Sequence, residues 1–266
     1  MHRKLLLSAV FVSYFAAGVL AHPSWGAAAR GLVVPHLPLT RGALIVATGV
    51  VGTTLAPWGL AFIQSYAADK KLKRTDLVYE RIDVVSGAVL TGIIGVFVVI
   101  ACAATLFAAG KHHINDASDA ALALKPLAGH AAATLFGFGL VGAALLAAAI
   151  VPLSTAYSVS EAFGRDCKLD DSFSEAPFFY ITFFAVLVVG AGVVVIPGVP
   201  LVPVLFITQV VNAVLLLPLL VALRSLGRNE LVLGDLRNRK VGDALAIGAF
   251  AVVAISIVAL AVAAFL

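Results

Sequence analysis

Residues Phe178 to Leu223 run for 46 positions without an Asp, Glu, Lys or Arg. A water-soluble domain cannot accommodate such a run, because about a quarter of its residues are ordinarily charged. Two membrane-spanning helices of about 20 residues each account for it. Pro197-Gly198-Val199-Pro200 falls near its middle and supplies the turn between them. The rest of the chain repeats the pattern: of 266 residues 62% are hydrophobic and 12% charged, with a mean hydropathy of +1.08. That balance excludes a soluble enzyme, a disordered chain and a nucleic-acid-binding domain, so no nucleic-acid partner is expected. Cys102 and Cys167 are too few for a disulfide framework and read as two unpaired thiols.

Uncharged runs partition the chain into seven expected spans, at about 5–21, 42–68, 84–110, 126–160, 178–196, 201–223 and 244–266. The expectation is an all-α polytopic protein, residues 1–266 forming a single transmembrane domain in the lipid bilayer. The loops on one side collect 14 of the 18 Lys and Arg residues, among them Lys70, Lys71, Arg74, Arg224, Arg237 and Lys240. The other side holds Arg30, Arg41, Lys111 and Lys125. Positive charge accumulates in cytoplasmic loops, which places the N-terminus inside and the C-terminus outside a cell membrane. Residues 1–21 also have the basic start, apolar stretch and small-residue end of a secretory signal; a cleaved signal and an uncleaved helix both stay open, and either leaves the remaining topology unchanged.

Two polar features fall inside the apolar runs. Pro57 lies within the second span, where it removes a backbone donor and frees the carbonyl of Thr53. Freed carbonyls in lipid need a partner, and in secondary transporters that partner is the transported ion. A plain proline kink, with Thr53 and Thr54 bonding back to their own helix, explains the same residues. Gln209 and Asn212, three apart on one helix face, bring two amides into the sixth span. Carboxamide oxygens suit a hard cation, and they serve equally as hydrogen-bonding glue between helices.

Other polar groups read as structural. Gly139, Ala143 and Ala147 form a small-residue stripe for close helix packing. His112 and His113 near Asp116 and Asp119 read as a solvated loop rather than a surface metal site, His130 as a capping or interfacial group, and Asp83 and Glu161 as caps or partners of nearby basic residues at span ends. No acidic residue falls within the interior of a span, and HExxH, GxSxG, CxxC and P-loop motifs are absent from the sequence. A non-enzymatic role follows, with no cofactor expected.

The string GTTLAPWGLAFIQS at 52–65, Asp69-Lys70, KPLAG at 125–129, PLSTAY at 152–157, EAFG at 161–164 and Gln209 together resemble the NRAMP family of divalent-metal transporters. In particular they resemble its branch of NRAMP-related magnesium transporters. The resemblance runs from about residue 10 to the C-terminus. It implies a LeuT-like inverted-repeat fold, of which this chain supplies the second repeat and its flanking helices. The Pro57 helix stands where the family has the second of two broken helices. The first, with its Asp-Pro-Gly-Asn ligands, is expected ahead of residue 1.

The resemblance also implies roles for particular residues. Thr53 stands where a backbone carbonyl meets the metal, and Ala56 where manganese and iron transporters carry a methionine. Gln209 stands where a glutamine approaches the ion, with Thr54, Gln64 and Asn212 as neighbours of the site. Loss of the thioether favours a harder ion such as Mg²⁺ or Mn²⁺. Trp58 and the segment around Ile63-Gln64 replace family histidines, and 178–196 holds no arginine, so proton coupling is not expected. The implied function is divalent-cation transport by alternating access, the metal being substrate. A separate N-terminal half or a full-length paralogue would supply the missing helices. The alternatives are a non-transporting remnant or accessory subunit, and an amino-acid transporter of the same fold.

Overall fold

The computed structural model describes residues 15–34, 36–111, 114, 117–125, 129–165 and 167–265. Among them there is no strand. This is what a bilayer demands, since backbone polar groups in hydrocarbon must be satisfied within each segment. Residues 15–20 are helical, followed by α1 (Trp25–Val33), α2 (Arg41–Thr54), α3 (Pro57–Asp69), α4 (Leu77–Cys102), α5 (Ala132–Ala162), α6 (Pro177–Val195), α7 (Leu201–Arg228) and α8 (Lys240–Phe265). Counting α2 with α3 as one interrupted span, six segments among the described residues are long and apolar enough to cross a membrane. The protein is thus an all-α, polytopic membrane protein. The expected span 5–21 falls outside the described residues except for its end, as do His112, His113, Asp116 and 126–128.

The helices extend past the uncharged runs that identify them. The expected span 84–110 corresponds to a segment from Arg74 to Phe107, and 201–223 extends to Arg228. Lack of charge marks only the hydrocarbon-embedded part of a helix. Arg, Asp and Glu continue the same helix into the interface, where their polar ends reach water. Local chemistry sets the starts. Thr40 Oγ1 accepts the Ala43 N–H at 3.4 Å ahead of α2. Before α6, the Glu175 carboxylate accepts from the Ser172 N–H (2.7 Å) and hydroxyl (2.6 Å), and Pro177 occupies the first helical turn. Between α6 and α7, Gly198 has φ +82°, which its neighbours with a Cβ could not adopt without strain.

The chain divides into two compact units, one drawn from 1–36 and Ala67–Leu153, the other from Leu37–Tyr66 and Ser154–Leu266. In the first, Ala17, Ala101, Leu124 and Ala132 form a buried cluster against Leu135 and Phe136. Phe97 packs against Phe15 with the two rings tilted at 41° and their centroids 4.1 Å apart. The end of α4 passes into a π-helical turn, Ala103–Phe107, where Thr105 Oγ1 donates to the Ala101 carbonyl at 2.6 Å.

In the second unit, α2, α7 and α8 pack mutually. Thr48, fully buried, donates its hydroxyl to the Ser256 carbonyl at 3.1 Å, tying α2 to α8. The α3 half is held differently. Ser154 Oγ on α5 donates to the Trp58 carbonyl at 2.8 Å, and Phe62 lies against Tyr157, whose ring meets Phe179 edge-on at 5.0 Å.

Candidate metal centre

Pro57 interrupts the second span as its chemistry requires. The first half ends at Thr54, with Leu55 at φ −110°, ψ 55° and its N–H donating back to the Val51 carbonyl at 3.2 Å. The second half starts at Pro57, and the N–H groups of Gly59 and Leu60 converge on the Ala56 carbonyl at 3.1 and 3.3 Å. Thr53 precedes Pro57 by four residues, so its carbonyl faces a ring with no N–H to offer. Thr54 spends its hydroxyl proton on the Val50 carbonyl of its own helix, at 2.6 Å. As a ligand it could offer only lone pairs.

Glycines set this break beside α7. A Cβ placed on Gly52 would lie 2.8 Å from the Ala213 nitrogen and 3.0 Å from the Gln209 carbonyl carbon, with the Gln209 carbonyl oxygen closer still. One turn earlier, a Cβ on Gly49 would meet the Phe206 ring at 3.5 Å. The backbone of α2 therefore lies flush on the Phe206–Ala213 stretch of α7, and Ala213 is fully buried there. Small residues permit such an approach, and Cα–H groups against a carbonyl add weak attraction.

The sequence-expected residues lie on both sides of this contact. Gln209 and Asn212, both half-buried, share a face as their spacing predicts, and Asn212 Nδ2–H donates to Gln209 Oε1 at 3.0 Å. Thr53 is exposed, and Ala56 and Pro57 are half-buried at the break. Gln64 is exposed and lies seven residues beyond Pro57, which is about 10 Å along the helix. Sequence reasoning missed the seats of the site: Gly49 with Gly52, Thr48, and Ser154. The spacing of Gly49 and Gly52 within an apolar run was the available signal for close packing.

The candidate donors are neutral oxygens: the Thr53 carbonyl and the carboxamides of Gln209 and Asn212. Such groups can replace part of the hydration shell of a hard cation, but they bring no negative charge. Among the described residues no three His, Cys, Asp or Glu side chains converge on a common point. A divalent ion held by this set would take its charge compensation from groups outside it.

A family model described as natural resistance-associated macrophage protein-like matches residues 3–263. A divalent metal cation transporter, MntH, from Yersinia enterocolitica is 28% identical over 240 residues, covering 88% of this chain and 55% of that protein. MntH from Pectobacterium carotovorum is 28% identical over 242 residues with the same coverage. MntH from Vibrio campbellii is 32% identical over 145 residues, 53% of this chain and 33% of the relative. The chain spans about half the length of the first two of these curated relatives. With a family match running nearly end to end over an interrupted, apolar helical bundle, the chain belongs to the Nramp family.

Proposed function

We propose that this chain carries one half of a divalent-cation transport site. In this reading the Thr53 carbonyl and Gln209 carboxamide are direct ligands, the Ala56 position borders the ion, and Asn212 and Thr54 hold the ligands in place. The observation that carries the reading is the helix interruption at Leu55–Ala56, seated by Gly52 against the Gln209 turn. The MntH relatives, which are divalent metal cation transporters, support the substrate class. With Ala56 in place of a thioether, the site suits a hard ion, Mg²⁺ or Mn²⁺. Gln64 is left at the margin of the site.

The two halves of the interrupted span have separate anchors, α2 on α7 and α8, and α3 on α5. Movement of one set against the other would open the break to each side in turn, which is alternating access. The basic loops face the cytoplasm, with the N-terminus inside and the C-terminus outside, and the membrane potential drives uptake without proton coupling. The carboxylates come from helices outside these 266 residues, on the same polypeptide or a partner.

The test is uptake of Mn²⁺ and Mg²⁺ into proteoliposomes holding a negative interior potential. One set contains this chain alone, the other this chain together with the N-terminal half of the Yersinia enterocolitica relative. Flux is expected only when both are present, and Gln209→Ala should reduce it about tenfold or more. Flux by the chain alone that survives Gln209→Ala overturns the assignment. The wholly neutral donor set also supports a second reading, a non-transporting accessory subunit; that chain would change a partner's flux, with Gln209→Ala leaving the change intact.

A further inference from the structure

The second unit has a groove that the ion site does not use. It is a cavity of about 560 Å³ between the end of α7 and the start of α8. Its α7 wall is a single stripe, Leu220 and Val221, then Arg224 and Ser225 one turn on, then Arg228 one turn further. The α8 wall is apolar: Ala246, Ile247 and Phe250. Polarity is therefore graded along the groove, from hydrocarbon at Phe250 and Leu220 to two guanidiniums at its mouth. The bilayer shows the same gradient between its acyl chains and its headgroups.

The charges at the mouth do not cancel. Asp243 accepts from Arg224 Nε at 2.7 Å and from its NH2 group at 3.1 Å, and from Arg228 NH1 at 3.5 Å. One carboxylate thus serves two guanidiniums, leaving an excess positive charge and several unused N–H donors. The Arg228 side chain is 56% exposed and its contact is the longer one, so it is the freer of the two. Across 224–243 there are five basic residues against three acidic ones. Arg237 is paired with Glu230.

We propose that this groove is a binding site for an anionic phospholipid. The phosphate sits on Arg228 and the outer N–H groups of Arg224, and one acyl chain lies on Leu220, Ala246 and Phe250. Basic pockets between membrane helices recognise anionic headgroups in this way. A soluble anion would find the charges but would leave the apolar floor empty. A zwitterionic lipid would fill the floor but would bring a second positive charge to the arginines. Asp243 has a definite part: it fixes Arg224 in place by its bidentate grip and keeps the mouth from binding anions indiscriminately. The occupied groove would tie α7 to α8, two of the three helices that carry the Gln209 seat.

The experiment is native mass spectrometry of the full chain in detergent, titrated with phosphatidylglycerol, with phosphatidylcholine of the same acyl chains, and with glycerol phosphate. Phosphatidylglycerol should be retained over phosphatidylcholine. Arg228→Gln should weaken its retention by roughly fivefold at low salt, as one interfacial charge is removed. Ala246→Phe, which fills the floor and leaves the Arg224–Asp243 pair intact, should lose phosphatidylglycerol, while Arg81→Gln, in the other unit, should change nothing. Equal retention of the two lipids overturns the proposal. So does phosphatidylglycerol binding unmoved by both Arg228→Gln and Ala246→Phe. Glycerol phosphate binding as tightly as the lipid and surviving Ala246→Phe also overturns it, since the groove would then read an anion alone.

Discussion

Gly52→Ala is the substitution whose consequence the geometry states most directly. The new methyl group would stand 2.8 Å from the Ala213 nitrogen, and closer to the Gln209 carbonyl oxygen, where carbon contacts normally settle near 3.5–4.0 Å. Both obstacles are backbone, so no side-chain rotamer relieves them, and α2 and α7 must part by more than about 1 Å. Overpacking of this kind costs about 1–3 kcal/mol, and the rigid partner puts Gly52 at the upper end. Gly59→Ala is the matched control. Gly59 lies in the first turn of α3 with nothing within 4 Å of where a Cβ would stand, and Ala is a better helix former than Gly by about 1 kcal/mol. Trp58, one of two tryptophans, sits next to the break and reports on it. Thermal unfolding in detergent, followed by its emission, should show Gly52→Ala well below the parent and Gly59→Ala at or above it. Gly52→Ala should also weaken Mn²⁺ binding once the complementary helices are present, because Gln209 moves with α7. If the two variants melt alike, the close seat of α2 on α7 is wrong, and with it the placing of Gln209 beside the break.

Two further changes test local structure. Gly198→Ala forces a methyl group into φ +82° in the turn between α6 and α7 and should destabilise by about 1–2 kcal/mol, read as a lowered melting point. The Glu175 carboxyl is held below the usual carboxylate range, first because the Ser172 hydroxyl and then because the Ser172 N–H donate to it. Its contribution is therefore present above the unfolded-state pKa and lost as pH falls through the lower folded-state value. The Ser172 amide resonance should titrate with a midpoint below that of free glutamate and cease to titrate in Glu175→Gln; a midpoint at or above the free value refutes the capping role.

Much of the bundle was legible because charge is so costly in hydrocarbon. The uncharged runs locate six of the seven expected spans among the described residues, and Pro57 locates the interruption, since a ring without an N–H cannot continue the helix ladder. The ends of the spans were less legible. Glu80, Arg81 and Asp83 lie inside α4, because a helix persists into the interface where hydropathy has already failed. Least legible were the contacts that seat the site. Gly52 meets Gln209 across 157 residues of chain and Thr48 meets Ser256 across 208, and no periodicity in either helix announces its partner. Thr54 was ambiguous in the sequence, as ligand neighbour or as a hydroxyl bonding back to its own helix; its 2.6 Å bond to the Val50 carbonyl settles where its proton goes.

The break at Leu55–Ala56 can serve the proposed transport only if the two half-helices respond separately, and their anchors make that testable. Thr48 fastens α2 to α8 through the Ser256 carbonyl, while Ser154 fastens α3 through the Trp58 carbonyl, one residue past Pro57. Both hydroxyls are all but fully buried, so Thr48→Val and Ser154→Ala each forfeit one interhelical hydrogen bond, about 0.6 kcal/mol in a membrane setting. Equal costs need not have equal consequences. Across an intact helix, loosening at either end would be shared along the ladder of backbone bonds. Across a break with no N–H at Pro57 and a non-helical Leu55, the ladder ends, and each loss should stay on its own side. Amide hydrogen exchange in detergent should then rise in the first turn of α3, at Gly59 and Leu60, for Ser154→Ala. It should rise in α2, around Leu44 to Gly52, for Thr48→Val. Exchange that rises over 41–69 as a whole in either variant would mean that α2 and α3 move as one rod. The interruption would then be a kink, and the proposed opening of the Thr53 carbonyl to each side in turn would fail.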